Sequence, residues 1–129
     1  MMGAMPSADT LERFIARVES NDHVGAIRDF YAEDASMQEN LQPPRRGRAA
    51  LIAHEEKALA AAASVTSRCV PPALVHGDHV VIRWVFEFTG RDGMVRRLEE
   101  LAWQRWQGER IVEEQFFYDP AQFAPQRAG

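Results

Sequence analysis

The sequence predicts an α+β fold in which helices of the first half pack against a curved antiparallel sheet drawn mostly from the second half. Three observations predict it. Apolar residues recur at helical spacing through the first half. After Ala63, β-branched and aromatic residues alternate with polar ones. Turn signals at Gly77-Asp78, Gly90-Arg91-Asp92-Gly93 and Gln107-Gly108 then cut that half into strands.

The elements follow in order. Leu11, Phe14, Ile15 and Val18 share a face, and Asp9 and Glu12 are set as a capping pair, so a first helix is expected over Ala8 to Ser20. Ser20-Asn21-Asp22 breaks it, and Asp22 can cap a second helix whose Val24, Ile27, Phe30 and Tyr31 lie together. Ala35 to Asn40 predicts a first strand, and the proline-bearing stretch Leu41 to Arg46 a loop. After Gly47, a third helix from Arg48 to about Ala63 places Leu51, His54, Glu55, Ala58 and Ala62 on one stripe. Four strands are expected near Val65 to Val75, His79 to Thr89, Met94 to Trp106 and Arg110 to Asp119. Pro71-Pro72 should bulge or kink the first of these, because proline cannot donate to a ladder. Ile82, Trp84, Phe86 and Phe88 alternate with Arg83, Val85 and Glu87, so one sheet face is strongly apolar. Three short helices cannot fill so long a twisted sheet without large side chains or a cavity. One domain over residues 8–123 is expected, with loose termini at 1–7 and 124–129.

Composition narrows the function. At 129 residues, the chain can bury roughly two-thirds of its extended surface without help from a metal or disulfide. A net charge of −4 argues against a nucleic-acid partner or an anionic membrane surface, and Arg45, Arg46 and Arg48 read as a solvated loop. The single cysteine, Cys69, suits a reducing compartment, and the first five residues lack the basic start and apolar run of a signal peptide. A cytoplasmic protein is expected. His54-Glu55-Glu56 lacks the second histidine of a helical zinc motif, and His23, His76 and His79 have no ligand spacing, so no metal is expected. With no Gly-rich phosphate loop, nucleophile elbow or Cys/His pair, neither a cofactor nor acyl-enzyme chemistry is expected.

The element order, the run Phe30-Tyr31-Ala32-Glu33-Asp34-Ala35, the loop ending at Gly47, and Gly108-Glu109-Arg110-Ile111-Val112 leading to Phe117-Tyr118-Asp119 carry a likeness. Together they resemble the SnoaL-like branch of the nuclear-transport-factor-two-like superfamily, over about Thr10 to Phe123. That resemblance implies a cone-shaped sheet enclosing one pocket. It leaves function open, because the same fold serves polyketide cyclases, ketosteroid isomerases, dehydratases, epoxide hydrolases and members that only bind.

The resemblance also implies a site. Glu39 falls at the strand end where ketosteroid isomerases hold their general base, while Phe14 and Ala102 stand where that family places its two oxyanion donors. The strand parity it implies brings His54, Ile82, Trp84, Phe86, Glu100, Gln104, Glu114, Phe116 and Tyr118 toward the cavity. A one-residue slip at the turn before Arg97 would instead bring in Glu99 and Trp103. The expected roles are Glu39 as base, His54 as its partner or an acid, and Glu114 or Tyr118 as donor to developing charge. The ligand is a small hydrophobic molecule, turned over by isomerase, cyclase or dehydratase chemistry, or held without turnover. For Glu39 and His54 the alternatives are a solvated strand end and a satisfied core histidine. Arginine placed for an Asp-Arg-Asp epoxide-hydrolase site is not evident. Val81, Val85, Leu101, Trp103 and Phe117 would leave the outer sheet face apolar, which predicts a homodimer through that face.

Overall fold

The computed structural model describes residues 5–124 and 126–127; of the expected loose termini, residues 1–4, 125, 128 and 129 lie outside the described residues. Helix α1 spans Ala8–Glu19 and α2 spans His23–Phe30. Ser7, not Asp9, caps α1, its side chain accepting from the Thr10 N–H. Asp9 instead pairs with Arg13 one turn on. Pro6 is already buried and Ser7 also bonds Glu109, so the chain is tied down before the helix begins. Asp22 caps α2 as its sequence context demands, accepting from the Gly25 N–H.

Strand β1 covers Tyr31–Glu39, four residues more than expected at its start, followed by the two-residue β2 (Arg45–Arg46) and helix α3 (Arg48–Ala60). The early start has a non-local cause: Tyr31 pairs with Ile111 across the sheet, overriding the weak strand preference of Ala32 to Ala35. Strands β3 (Ser64–His76), β4 (His79–Thr89), β5 (Met94–Gln107) and β6 (Arg110–Phe117) form the meander. The register of β3 on β4 shifts between Val70 and Leu74, around Pro71-Pro72, and β3 lies at the sheet edge, where proline is tolerated. Asp119 caps one 3-10 turn at Pro120–Phe123, and β7 (Gln126–Arg127) pairs with the start of β5.

The strand order is β2-β1-β6-β5-β4-β3 in a curved, unclosed sheet. It is antiparallel except between β1 and β6, which run parallel, so the sheet is mixed. β4 pairs Trp84 with Glu100, which sets the expected parity of β5: Leu98, Glu100, Ala102, Gln104 and Trp106 all point inward. In β6 one extra residue, Val112, separates the pairings of Ile111 and Glu113, so both Ile111 and Glu114 face in. Phe14 is the hub of the core, meeting Phe30, Tyr31, Trp84 and Trp106 edge-on.

Candidate active site

Between the helices and the inner sheet face lies a cavity of about 240 Å³. Its walls are aromatic (Phe14, Trp84, Phe86, Phe88, Phe116, Tyr118) with four carboxyl groups, Glu39, Glu55, Glu100 and Glu114, set among them. Ile82 and Gln104 are wholly buried behind this wall rather than on it. His54 lines the cavity from α3 yet stays exposed, as does Ala58, so the opening runs along that helix. It makes no hydrogen bond to Glu39; the side chains that do are Tyr118 and Arg45.

The strand end that carries Glu39 is fixed on both sides. Tyr118 Oη donates to Oε1 at 2.9 Å and Arg45 Nη2 to Oε2 at 3.1 Å. Arg45 therefore is not the solvated loop residue its neighbours suggest: β2 pairs with β1 and lays it against the cavity. Arg48 likewise turns inward, to the Tyr31 carbonyl. Burial and the neighbouring Glu39 push the Tyr118 phenol up to about 12, so it remains a donor at neutral pH.

Glu114 is 3% exposed and has both oxygens occupied, by Tyr31 Oη and by Gln104 Nε2. Gln104 in turn accepts from the Trp106 indole at 2.9 Å, closing a buried chain of polar groups. Desolvation pushes Glu114 up to about 7 against the opposing effect of its two donors. Tyr31 is driven well above its ordinary value by burial and by Glu114.

Glu100 differs from both. It is 8% exposed, faces the cavity, and receives no hydrogen bond among the described residues. Desolvation first, then the fields of Glu114 and Glu39, push its carboxyl up to about 8. One cavity thus holds a carboxylate clasped by a cation and a phenol, and a carboxylic acid that keeps its proton at neutral pH.

Phe14 and Ala102 are both apolar and buried. Tyr31 packs its ring on Phe14 at 6.2 Å, and Glu100 lies two residues before Ala102 on the same inward face. Sequence reasoning missed Tyr31, Arg45 and His23. His23, not His54, is the buried histidine of the cavity; its ring bonds Glu55 at 3.2 Å and Ser67 at 2.7 Å. The local signal for Tyr31 was its place on the apolar face expected of the second helix, although it opens β1, and for the His23 partner Glu55 its place on the inward stripe of α3. Among the described residues no group of three or more His, Cys, Asp or Glu is set to hold a metal ion, and no helix is long and apolar enough to cross a membrane.

No protein of curated function matches the chain. Solved structures do. A hypothetical protein of ketosteroid isomerase-like fold from Catenulispora acidiphila, in complex with trimethylamine, superposes with a TM-score of 0.75 at 17% identity, over 91% of this chain and 90% of that one. A protein of unknown function with a cystatin-like fold from Xanthomonas campestris gives 0.76 at 18%, over 92% and 95%. An NTF2-like protein of unknown function from Burkholderia pseudomallei gives 0.74 at 16%, over 88% and 91%. At these identities the likeness is one of fold alone. The SnoaL-like domain model matches residues 11–114, most of the chain, and with the cone of helices and sheet around one carboxyl-lined cavity it places this protein in the SnoaL-like domain family.

Proposed function

We propose that the cavity is the active site of a general acid–base enzyme acting on a small, mostly apolar compound that bears a carbonyl group. Glu39 is the base that takes a proton from the carbon next to the carbonyl. Glu100 is the acid that donates to the carbonyl oxygen as charge develops there. Tyr118 and Arg45 hold Glu39, and burial, aided by the field of Glu114, keeps Glu100 protonated. What supports this reading most is the contrast between the two cavity carboxyls, Glu39 with two donors and Glu100 with none. Environments that set two acids apart are how one pocket runs both halves of a proton transfer. The volume restricts the substrate to one or two small rings. His54, at the opening, meets the substrate on entry rather than the reacting atoms.

Proton NMR in D2O, run against a panel of small cyclic ketones, tests the assignment. The protein should catalyse exchange of protons next to the carbonyl, and Glu39→Gln should lower the rate by about 100-fold or more. Exchange that is absent for every ketone, or undiminished in Glu39→Gln, contradicts it.

A second reading, binding without turnover, has one observation in its favour. Glu100 and Glu114 are buried acids that form no ion pair among the described residues, in a cavity walled by the stacked rings of Trp84 and Phe86. Carboxyls and aromatic faces together suit a small cationic amine, the class of ligand named for the Catenulispora acidiphila protein. Saturable binding of trimethylamine with no exchange activity would favour this reading.

We further propose that the outer sheet face meets a second copy of the chain. Leu101, Trp103 and Phe117 there are 46%, 49% and 43% exposed and adjoin one another in the register of β5 on β6. Around them Arg83–Glu99, Arg97–Glu87 and Arg105–Glu113 set both signs of charge on one face, the self-complementary pattern a two-fold contact needs. The free, half-buried Cys69 fits a cytoplasmic location.

A further inference from the structure

The polar contacts of His23 set three residues from distant parts of the chain in a row. Its Nε2 lies 2.7 Å from Ser67 Oγ on β3, and its Nδ1 lies 3.2 Å from Glu55 Oε1 on α3. A carboxylate can only accept, so in the neutral ring Nδ1 carries the proton and Nε2 accepts from the serine hydroxyl. The ring is held edge-on against Phe86 at 5.6 Å, which fixes its plane. His23 and Glu55 line the cavity, and Ser67 is half-buried on β3 beside His23.

We propose that Ser67, His23 and Glu55 are a nucleophile, base and orienting acid that transfer the acyl group of small carboxylic esters to water. This activity is independent of the Glu39 and Glu100 chemistry. Ser67 Oγ attacks the ester carbonyl carbon while its proton passes to His23 Nε2. The carbon–oxygen bond to the alcohol breaks, and the alcohol leaves with that proton. Water then attacks the acyl-serine, giving its proton to Nε2, and Ser67 recovers a proton as the carboxylic acid departs. Glu55 holds the ring tautomer and stabilises the imidazolium formed in each half. β3 is an edge strand, and the Cys69 N–H points off that edge to Glu19 at 2.9 Å. Two residues earlier, the Ser67 N–H points off the same edge and in this reaction donates to the developing oxyanion. Ala26, Ile27 and Phe86, on the cavity wall around His23, give a short acyl chain apolar surroundings.

The separation of these residues explains why no local motif announced them: His23 is 32 residues from Glu55 and 44 from Ser67. A histidine with both nitrogens satisfied for packing alone would have the same contacts, so the test must read the serine itself. Treatment with a fluorophosphonate probe, followed by intact and peptide mass spectrometry, reads it: Ser67 Oγ displaces fluoride and keeps the phosphonyl group. The expected result is one adduct per chain, on Ser67, absent from Ser67→Ala. The labelling rate should fall at least about 100-fold in His23→Gln and about 10-fold or more in Glu55→Gln, with p-nitrophenyl acetate hydrolysis falling in parallel. If His23→Gln does not fold, Glu55→Gln carries the same test. No adduct, an adduct on another residue, or a rate unchanged in the folded variants overturns the proposal.

Discussion

Glu100 shows how one buried residue sets the chemistry of the cavity. Its carboxyl holds a proton to about pH 8 in the folded chain, whereas the unfolded chain releases it near the ordinary glutamate value of 4.5. The folded state therefore binds more protons between those values, and stability must fall as pH rises from about 5 to about 8 and level off above. Glu100→Gln removes this share of the dependence and leaves that of Glu114. Thermal or urea unfolding should show the variant gaining on the parent by about 5 kcal/mol at pH 9 relative to pH 4. Equal pH dependence in the two proteins would place the titrating group elsewhere. At this scale the sequence was informative where parity rules: Trp84, Phe86 and Glu100 face inward because strands alternate, whereas the inward turn of both Ile111 and Glu114 depends on the extra residue Val112. It was silent where a contact joins distant residues. Tyr31 and Glu114 are 83 positions apart, and nothing local to either marks their bond. Arg45 was misjudged because a proline-flanked arginine run looks solvated until β2 pairs it with β1.

At the scale of elements, the short path from β1 through β2 to α3 carries more of the site than its length suggests. It delivers Glu39, Arg45, His54 and Glu55. Gly47 makes the turn into α3 at φ +95°, a region other residues rarely adopt, and a side chain there would meet no atom within 4 Å. Gly47→Ala should therefore cost about 1–2 kcal/mol for backbone reasons alone. A fall in Tm of that size with an intact circular-dichroism spectrum is the expected outcome, and no change would show that the turn relaxes freely. Most elements were readable from periodicity, the β4 strand to the residue. The β1 start was not, because its pairing with β6 is parallel and spans the chain. The α1 cap also moved, to Ser7, because Asp9 already sits inside the helix and pairs with Arg13.

The whole molecule presents two surfaces of opposite character, an inner sheet face around the cavity and an outer one whose centre is exposed and apolar. If a second copy covers the outer face, Trp103→Glu should place a charge in the middle of the contact. Light scattering at micromolar concentration should then give a dimer for the parent and a monomer for the variant. A parent that is monomeric throughout contradicts the assembly, while leaving the inner face as described.

The proposed acid–base chemistry needs a cavity carboxyl that keeps its proton at neutral pH, and carbon-13 NMR of side-chain-labelled glutamate reports that directly. Following each carboxyl carbon through a pH titration, with Glu39→Gln and Glu100→Gln to assign the signals, should show Glu100 titrating near pH 8. Glu39→Gln should remove the carboxyl held by Arg45 and Tyr118 without moving the Glu100 titration below neutral pH. A Glu100 signal that titrates near the ordinary 4.5 would leave the cavity without its acid and contradict the account.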